Sequence, residues 1–326
     1  MSNPILQVDN LRTHFFTRGG VVKAVDGVSF TVNRGEIVGL VGESGSGKSV
    51  TGFSLLGLVD PPGRIVSGSV KLNGEELIGK PWQELRAIRG SRIAMVFQDP
   101  MATLNPVLKI GTQMRLALLA HEKVSKKAAD ARAAEALERV GIPEARSRLS
   151  AYPHEFSGGM RQRVAIAVAL LHGSQVLVAD EPTTALDVSI QAQILTEMRD
   201  LAAEMGTALV WISHDLATVS TLASRLMVMY AGRIVEEGPV ASVLRAPHHP
   251  YTAGLLRSLP ATVKPGEELQ QIRGTTPSLL DPPVGCPFRP RCDHASDECA
   301  QDPVLEAEGS RGYRCFHPLN LDGKTP

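Results

Sequence analysis

The stretch Ile37-Val38-Gly39-Leu40-Val41-Gly42-Glu43-Ser44-Gly45-Ser46-Gly47-Lys48-Ser49-Val50 decides how the rest of the chain is read. Its first five residues form a continuous apolar run, the pattern of a strand buried on both faces. Gly42 to Ser49 then fits G-x-x-x-x-G-K-[ST], and a helical pattern runs on towards Leu58. Glycines in such a loop let backbone N–H groups curl around phosphate oxygens, and the helix N-terminus adds the positive end of its dipole. Lys48 is placed for the β- and γ-phosphates and Ser49 for Mg²⁺.

A second apolar strand, Val176-Leu177-Val178-Ala179, ends in Asp180-Glu181. Asp180 is placed to hold Mg²⁺, and Glu181 to polarise an attacking water. Between these two segments lie a strand at Arg92–Phe97 and a long helical block over residues 107–170. Ala134, Leu137 and Val140 recur there at helical spacing until Gly141-Ile142-Pro143 stops them.

Outward from this centre the chain keeps the same grammar. Ile5 to Val8 starts an edge strand, and Val28 to Val32 alternates at period two. Pro61-Pro62-Gly63 breaks the helix after the glycine loop, and Asn73-Gly74 turns a short hairpin. Ala208 to Ile212 is another buried strand, and Leu226 to Val235 a hairpin turning at Ala231-Gly232. Strands alternating with helices predict an α/β fold: a mostly parallel sheet, an antiparallel β part and a helical insertion at about residues 100–170. After about residue 245 the pattern fades into a small, irregular appendage rich in Pro, Gly and Cys.

Composition narrows the class. The 326 residues are 43% hydrophobic and 21% charged, as in an ordinary globular protein. Lys plus Arg equals Asp plus Glu, 34 each, so the basic excess of a nucleic-acid binder is absent. No apolar run approaches the roughly 20 residues that span a bilayer. The opening MSNPILQVDN lacks the features of a signal peptide. The expectation is a cytosolic chain, unless a partner holds it at a membrane.

Ser157-Gly158-Gly159-Met160-Arg161-Gln162-Arg163 makes the reading specific. It resembles the LSGGQ signature of the ABC ATPase family, with Phe156 for the leucine and Met160 for the glutamine. The resemblance covers residues 5–260 and implies a further set of roles. The nucleotide-binding stretch runs from Gly42 to Val50, and Phe15, or its neighbour Phe16, stacks on adenine. Gln98 resembles the glutamine that senses Mg²⁺ and the attacking water. Ala185-Leu186-Asp187 looks like the loop that contacts an opposite subunit, and His214 matches the switch histidine at the γ-phosphate. Ser157 to Met160 would act across a dimer on the other subunit's nucleotide.

Three further segments are similar to the peptide and nickel import subfamily: Gln98 to Pro106, Tyr152 to Phe156, and His249 to Thr252. So is the tail segment Gly285 to Cys292. That likeness implies a nucleotide-binding domain over 1–259 and an extension over 260–326. It implies ATP with Mg²⁺, and a role powering di- or oligopeptide uptake. The implied partners are a second homologous ATPase, two permeases and an extracytoplasmic binding protein, at the cytoplasmic face of the inner membrane. A soluble ABC ATPase of DNA repair or translation, and a metal-sensing regulator, are the rival readings.

The four cysteines are spaced Cys286-x5-Cys292-x6-Cys299-x15-Cys315. Four thiolates can hold zinc or an iron–sulfur cluster, and zinc favours closer pairs than these. The subfamily likeness implies a [4Fe–4S] cluster; zinc and unmetallated thiols stay open. His294 and His317 are possible zinc ligands or plain loop residues. Arg289 and Arg291 either balance a cluster's charge or lie solvated at the surface.

Overall fold

A computed structural model describes residues 3–184, 186–259 and 271–319. The expected domain boundary at 259/260 adjoins residues outside this range, and Ala185 also lies outside the described residues. The elements run β1 (Leu6–Thr17), β2 (Gly20–Val32), β3 (Ile37–Val41), α1 (Lys48–Leu56), β4 (Gly63–Leu72), β5 (Glu75–Glu76), α2 (Trp82–Ile88) and β6 (Ile93–Val96). Next come α3 (Pro100–Thr103), α4 (Ile110–Leu119), α5 (Lys126–Arg139), α6 (Ala145–Arg148), α7 (Gly158–Leu170), β7 (Val176–Asp180) and α8 (Val188–Met205). The chain ends with β8 (Ala208–Ser213), α9 (Leu216–Leu222), β9 (Arg225–Tyr230), β10 (Arg233–Pro239), α10 (Val240–Arg245), α11 (Pro250–Arg257), β11 (Glu306–Glu308) and β12 (Arg311–Tyr313). Two compact units share them, and the chain passes between the units several times, including inside β1, β2 and β8.

One unit comprises residues 3–6, 32–36 and 79–210. Here β6 and β7 pair in parallel, Ile93 beside Val176 and Val96 beside Ala179. The helical block takes the place the sequence predicts. On α5, Ala129, Ala133, Ala134 and Leu137 are buried, one stripe of a helix whose other residues are charged or alanine. Helix α7 buries Val164 to Ala167 together, as its apolar run predicts. Arg163 on the same helix is nearly buried, yet its guanidinium donates to the Val140 carbonyl at 2.7 Å and pairs with Glu197 at 2.7 Å. A buried charge is tolerable when it is paired and hydrogen-bonded in this way.

The other unit comprises residues 7–31, 37–78 and 211–319. It holds a four-stranded sheet in the order β2-β1-β4-β5. Strand β1 is therefore internal, where the sequence predicts an edge; its partner β4 is contributed by residues far along the chain. Helix α1 ends at Leu56 on a left-handed Gly57, earlier than the prolines suggest. The Asn73-Gly74 hairpin forms as expected, with both residues at positive φ, 51° and 80°. Strand β3 pairs in parallel with β9, and β9 turns through Ala231-Gly232 into antiparallel β10.

The appendage is less irregular than its composition predicts. Strands β11 and β12 form a small hairpin, and β12 adds antiparallel to β10. The cause is Glu236 on β10, fully buried but satisfied by three donors. Its carboxylate accepts from the amides of His248 and His249 at 2.8 and 2.9 Å and from Arg311 of β12 at 2.8 Å. Phe288 is buried among Tyr230, Tyr251 and His249.

His249 caps α11: its ring Nδ1 accepts the Tyr251 amide at 3.0 Å. Full burial pushes its pKa down to about 3 from the usual 6.5. Between those values the unfolded chain binds a proton that the native chain refuses, so stability falls as pH drops from 6.5 towards 3. The slope from this group is at most about 1.4 kcal/mol per pH unit. His249→Asn keeps a capping oxygen without the titration. Denaturant unfolding between pH 7 and 5 should show a shallower loss of stability in the variant; an unchanged slope would remove His249 as the cause.

Candidate functional site

The glycine loop leaves β3 and enters α1 with Gly47 as the N-cap. Its course is set by two close approaches. A Cβ on Gly42 would lie 2.1 Å from the Met229 carbonyl oxygen, and one on Gly47 2.1 Å from that of Ala24. Both glycines also have positive φ, 158° and 103°. At the tip, Ser44 and Gly45 are exposed. Lys48 folds back under the loop, its Nζ donating to the carbonyls of Gly42 and Glu43 at 2.8 and 3.0 Å. Ser49 and Val50 follow in the first turn of the helix. The loop is a cradle of backbone around a point charge, the form that the phosphate reading requires.

Glu43 is held more tightly than an exposed loop residue. Its backbone amide donates to the Tyr251 hydroxyl at 2.9 Å. Arg291 grips its carboxylate through both terminal nitrogens, at 2.6 and 3.0 Å, and Thr276 donates to it at 2.9 Å. Partial burial works against ionisation of Glu43. The hydrogen bonds from Arg291 and Thr276 and the charges of Arg291 and Lys48 outweigh it, and the pKa lies below the usual carboxylate range. Of the two readings of Arg291, solvation at the surface is overturned: its side chain is 6% exposed and paired with Glu43. The sequence signal for this pair was an acid inside a phosphate-binding loop, which calls for a cation.

Phe15 and His214 lie in the same unit. Phe15 is half-buried, its ring filling the space beside Gly63. Phe16 is exposed, with the Arg64 guanidinium 4.2 Å over its ring. His214 is exposed just beyond β8, between Ser213 and the α9 cap Asp215.

In the other unit, β7 carries buried Asp180 at its end and delivers Glu181 at positive φ, 44°. Such backbone is uncommon outside glycine and clusters at working sites. Gln98 donates to Glu181 Oε2 at 3.1 Å and Thr184 to the same oxygen at 3.0 Å. The structure thus joins Gln98 to Glu181 and adds Thr184, which the sequence reading did not single out. Ser157 caps α7, its hydroxyl accepting the Met160 amide at 3.3 Å. Phe156 before it is buried, so it fills the apolar anchor position that a leucine would otherwise occupy. Gly158 is exposed, and Gly159 would clash with Ile190 at 2.8 Å if it carried a Cβ. Asp187 is the N-cap residue of α8, without a side-chain cap bond.

The four cysteines are free thiols. Burial raises each of three pKa values, with neighbouring thiols adding to the effect: Cys286 upward, Cys292 to about 11 and Cys315 to about 12. Cys286 and Cys299 are linked by a backbone hydrogen bond of 3.0 Å. Among the described residues no three His, Cys, Asp or Glu side chains form a group that could hold a metal ion. The expected metal centre therefore has no supporting geometry. His317 hydrogen-bonds Ser296 at 2.6 Å.

Comparison with known proteins bears on both units. A profile described as "ABC transporter" matches residues 25–184, and one described as "Oligopeptide/dipeptide transporter, C-terminal region" matches 235–299. The oligopeptide transport ATP-binding protein OppD of Salmonella typhimurium is 48% identical over 98% of this chain and 95% of its own. The chain belongs to the ABC transporter family. Within it, the dipeptide transport ATP-binding protein DppD of Escherichia coli is 45% identical over 98% of both chains. A solved dimeric ATP-binding cassette in a post-hydrolysis state with ADP and phosphate matches at TM-score 0.65 and 26% identity, over 72% of this chain and 98% of that one. As a member of this family the chain is an ATP-hydrolysing subunit, with ATP and Mg²⁺ as its ligands. No described helix is long and apolar enough to cross a membrane.

The cap geometry gives a direct test. Ser157→Ala should lower stability by about 1 kcal/mol through loss of the α7 cap, and Ser157→Asp should restore it. Thermal melts of the two variants check this; equal melting of Ser157→Ala and wild type would show that the hydroxyl does not hold the helix.

Proposed function

We propose that this chain is the ATPase subunit that powers uptake of di- or oligopeptides through a membrane ABC importer. The observation that carries the reading is end-to-end similarity to peptide-transport ATP-binding proteins, 48% identity over 98% of the chain. In this reading residues 1–259 are the nucleotide-binding domain, with the helical insertion at about 100–170, and 260–326 the transporter-type extension. Gly42 to Val50 bind the phosphates, Phe15 stacks on adenine, and Ser49, Gln98 and Asp180 hold Mg²⁺. Glu181 is the catalytic base, with Gln98 and His214 completing the hydrolytic set. The hydrogen bonds from Gln98 and Thr184 support that role, because they orient the carboxylate that must receive a proton from water.

Ser157 to Met160 act in trans on a nucleotide held by a second, homologous ATPase, which Asp187 also contacts. A dimeric solved relative supports this arrangement. Two permeases and an extracytoplasmic peptide-binding protein complete the importer, with this chain peripheral at the cytoplasmic face of the inner membrane. The balanced charge of 34 basic and 34 acidic residues favours such protein partners over nucleic acid.

Cys286, Cys292, Cys299 and Cys315 are the proposed ligands of a [4Fe–4S] cluster, with zinc or no metal as alternatives. Their residue type supports it, because four soft thiolate ligands suit iron–sulfur chemistry. Because burial raises the Cys286, Cys292 and Cys315 thiols, loading requires their deprotonation.

Two measurements test the reading. Glu181→Gln should keep MgATP affinity within about threefold while hydrolysis falls at least about a hundredfold, since the phosphate grip survives and the base does not. Near-normal turnover would move the base elsewhere. Strictly anaerobic protein should be brown and carry about four irons per chain, the iron being lost in Cys292→Ser. A colourless, iron-free preparation would remove the cluster.

A further inference from the structure

Glu43 stands out within the phosphate loop. A carboxylate at the second position of a cradle built for phosphates repels the ligand it helps to surround. The C-terminal region answers that charge. Arg291 meets Glu43 as a two-toothed fork, at 2.6 and 3.0 Å, and Thr276 adds a bond of 2.9 Å. The guanidinium is itself fixed. Its Nε donates to the Arg273 carbonyl at 2.8 Å, and it lies 5.8 and 5.9 Å from the rings of Tyr230 and Phe288. A planar, permanently charged fork suits this task better than a lysine, because it fixes both carboxylate oxygens at once.

We propose that Arg291, assisted by Thr276, is a positioning residue for the nucleotide: it neutralises and pins Glu43 so that the phosphate loop can accept a triphosphate. This rests on the reading of Gly42 to Ser49 as the phosphate loop. The C-terminal region then contributes to ATP binding without touching ATP. Loss of Arg291 leaves the Glu43 carboxylate with only the Thr276 hydroxyl and the charge of Lys48, which the incoming phosphates also need, and loosens the residue at the start of the loop. Loss of both charges removes the repulsion again.

The test is equilibrium titration of the full chain with a fluorescent ATP analogue and Mg²⁺. Arg291→Gln should weaken binding about tenfold and Arg291→Lys less. Arg291→Gln combined with Glu43→Gln should return to within about threefold of wild type. A role confined to holding the C-terminal region in place predicts no such rescue, and a double variant as weak as Arg291→Gln would overturn the proposal. Unchanged affinity in Arg291→Gln would overturn it as well. Should Arg291→Gln fail to fold, Arg291→Lys and Thr276→Val carry the same comparison, each weakened and each rescued by Glu43→Gln. A wild-type chain that binds no MgATP would sink both this inference and the reading of the loop beneath it.

Discussion

The arrangement depends on two places where the backbone of the glycine loop lies against neighbouring carbonyls. Gly42 meets Met229, at the end of β9, and Gly47 meets Ala24, on β2. Neither position has room for a Cβ. The contact is reinforced from outside, since the Gly232 amide donates to Ser46 and its carbonyl accepts the Asp26 amide. The loop therefore takes its course from the β9–β10 turn and from β2, with the Lys48 and Glu43 side chains adding their own bonds. A flexible glycine loop would lose much of its binding energy to ordering when phosphates arrive. This one is ordered by its surroundings beforehand.

Much of this was legible in sequence because the signals are local. The run Ile37–Val41 and the glycines after it state strand, loop and helix in fourteen residues, and the parallel pairings of β3 and β6 follow the apolar pattern. The turns at Asn73-Gly74 and Ala231-Gly232 declare themselves through residues that tolerate positive φ. The errors came from non-local partners. Strand β1 reads as an edge because β4, which covers it, lies some fifty residues further on. Residues 306–313 carry no strong strand pattern; they become strands because β10 offers an edge and Glu236 offers Arg311 a partner. Thr184 carries no signal of its own in the sequence, because a threonine after Asp-Glu is unremarkable until its hydroxyl meets Glu181.

Arg291 shows the same limit from the other side. In the sequence it stands beside Cys292, where a charge can serve a metal or the solvent; the carboxylate it pairs with is 248 positions away. Sequence proximity is a poor guide to which charge a buried arginine answers, because the pairing must satisfy desolvation wherever the fold supplies a carboxylate.

That rule bears on how the C-terminal region belongs to its unit. Two buried or half-buried acids of the unit's body, Glu236 and Glu43, are each neutralised by an arginine from beyond residue 285, Arg311 and Arg291. A third pair of contacts joins Arg233 to Asp26 in the body and to Asp302 in the tail. Peeling this region away would strand Glu236 without its cation, at a cost of about 3–5 kcal/mol for a fully buried pair, and less for the more exposed Glu43. Total stabilities of natural domains are about 5–15 kcal/mol. A segment whose removal takes such a share is no loosely tethered appendage. It folds as part of the phosphate-loop unit, and the charge pattern that ties it there also reaches the loop itself.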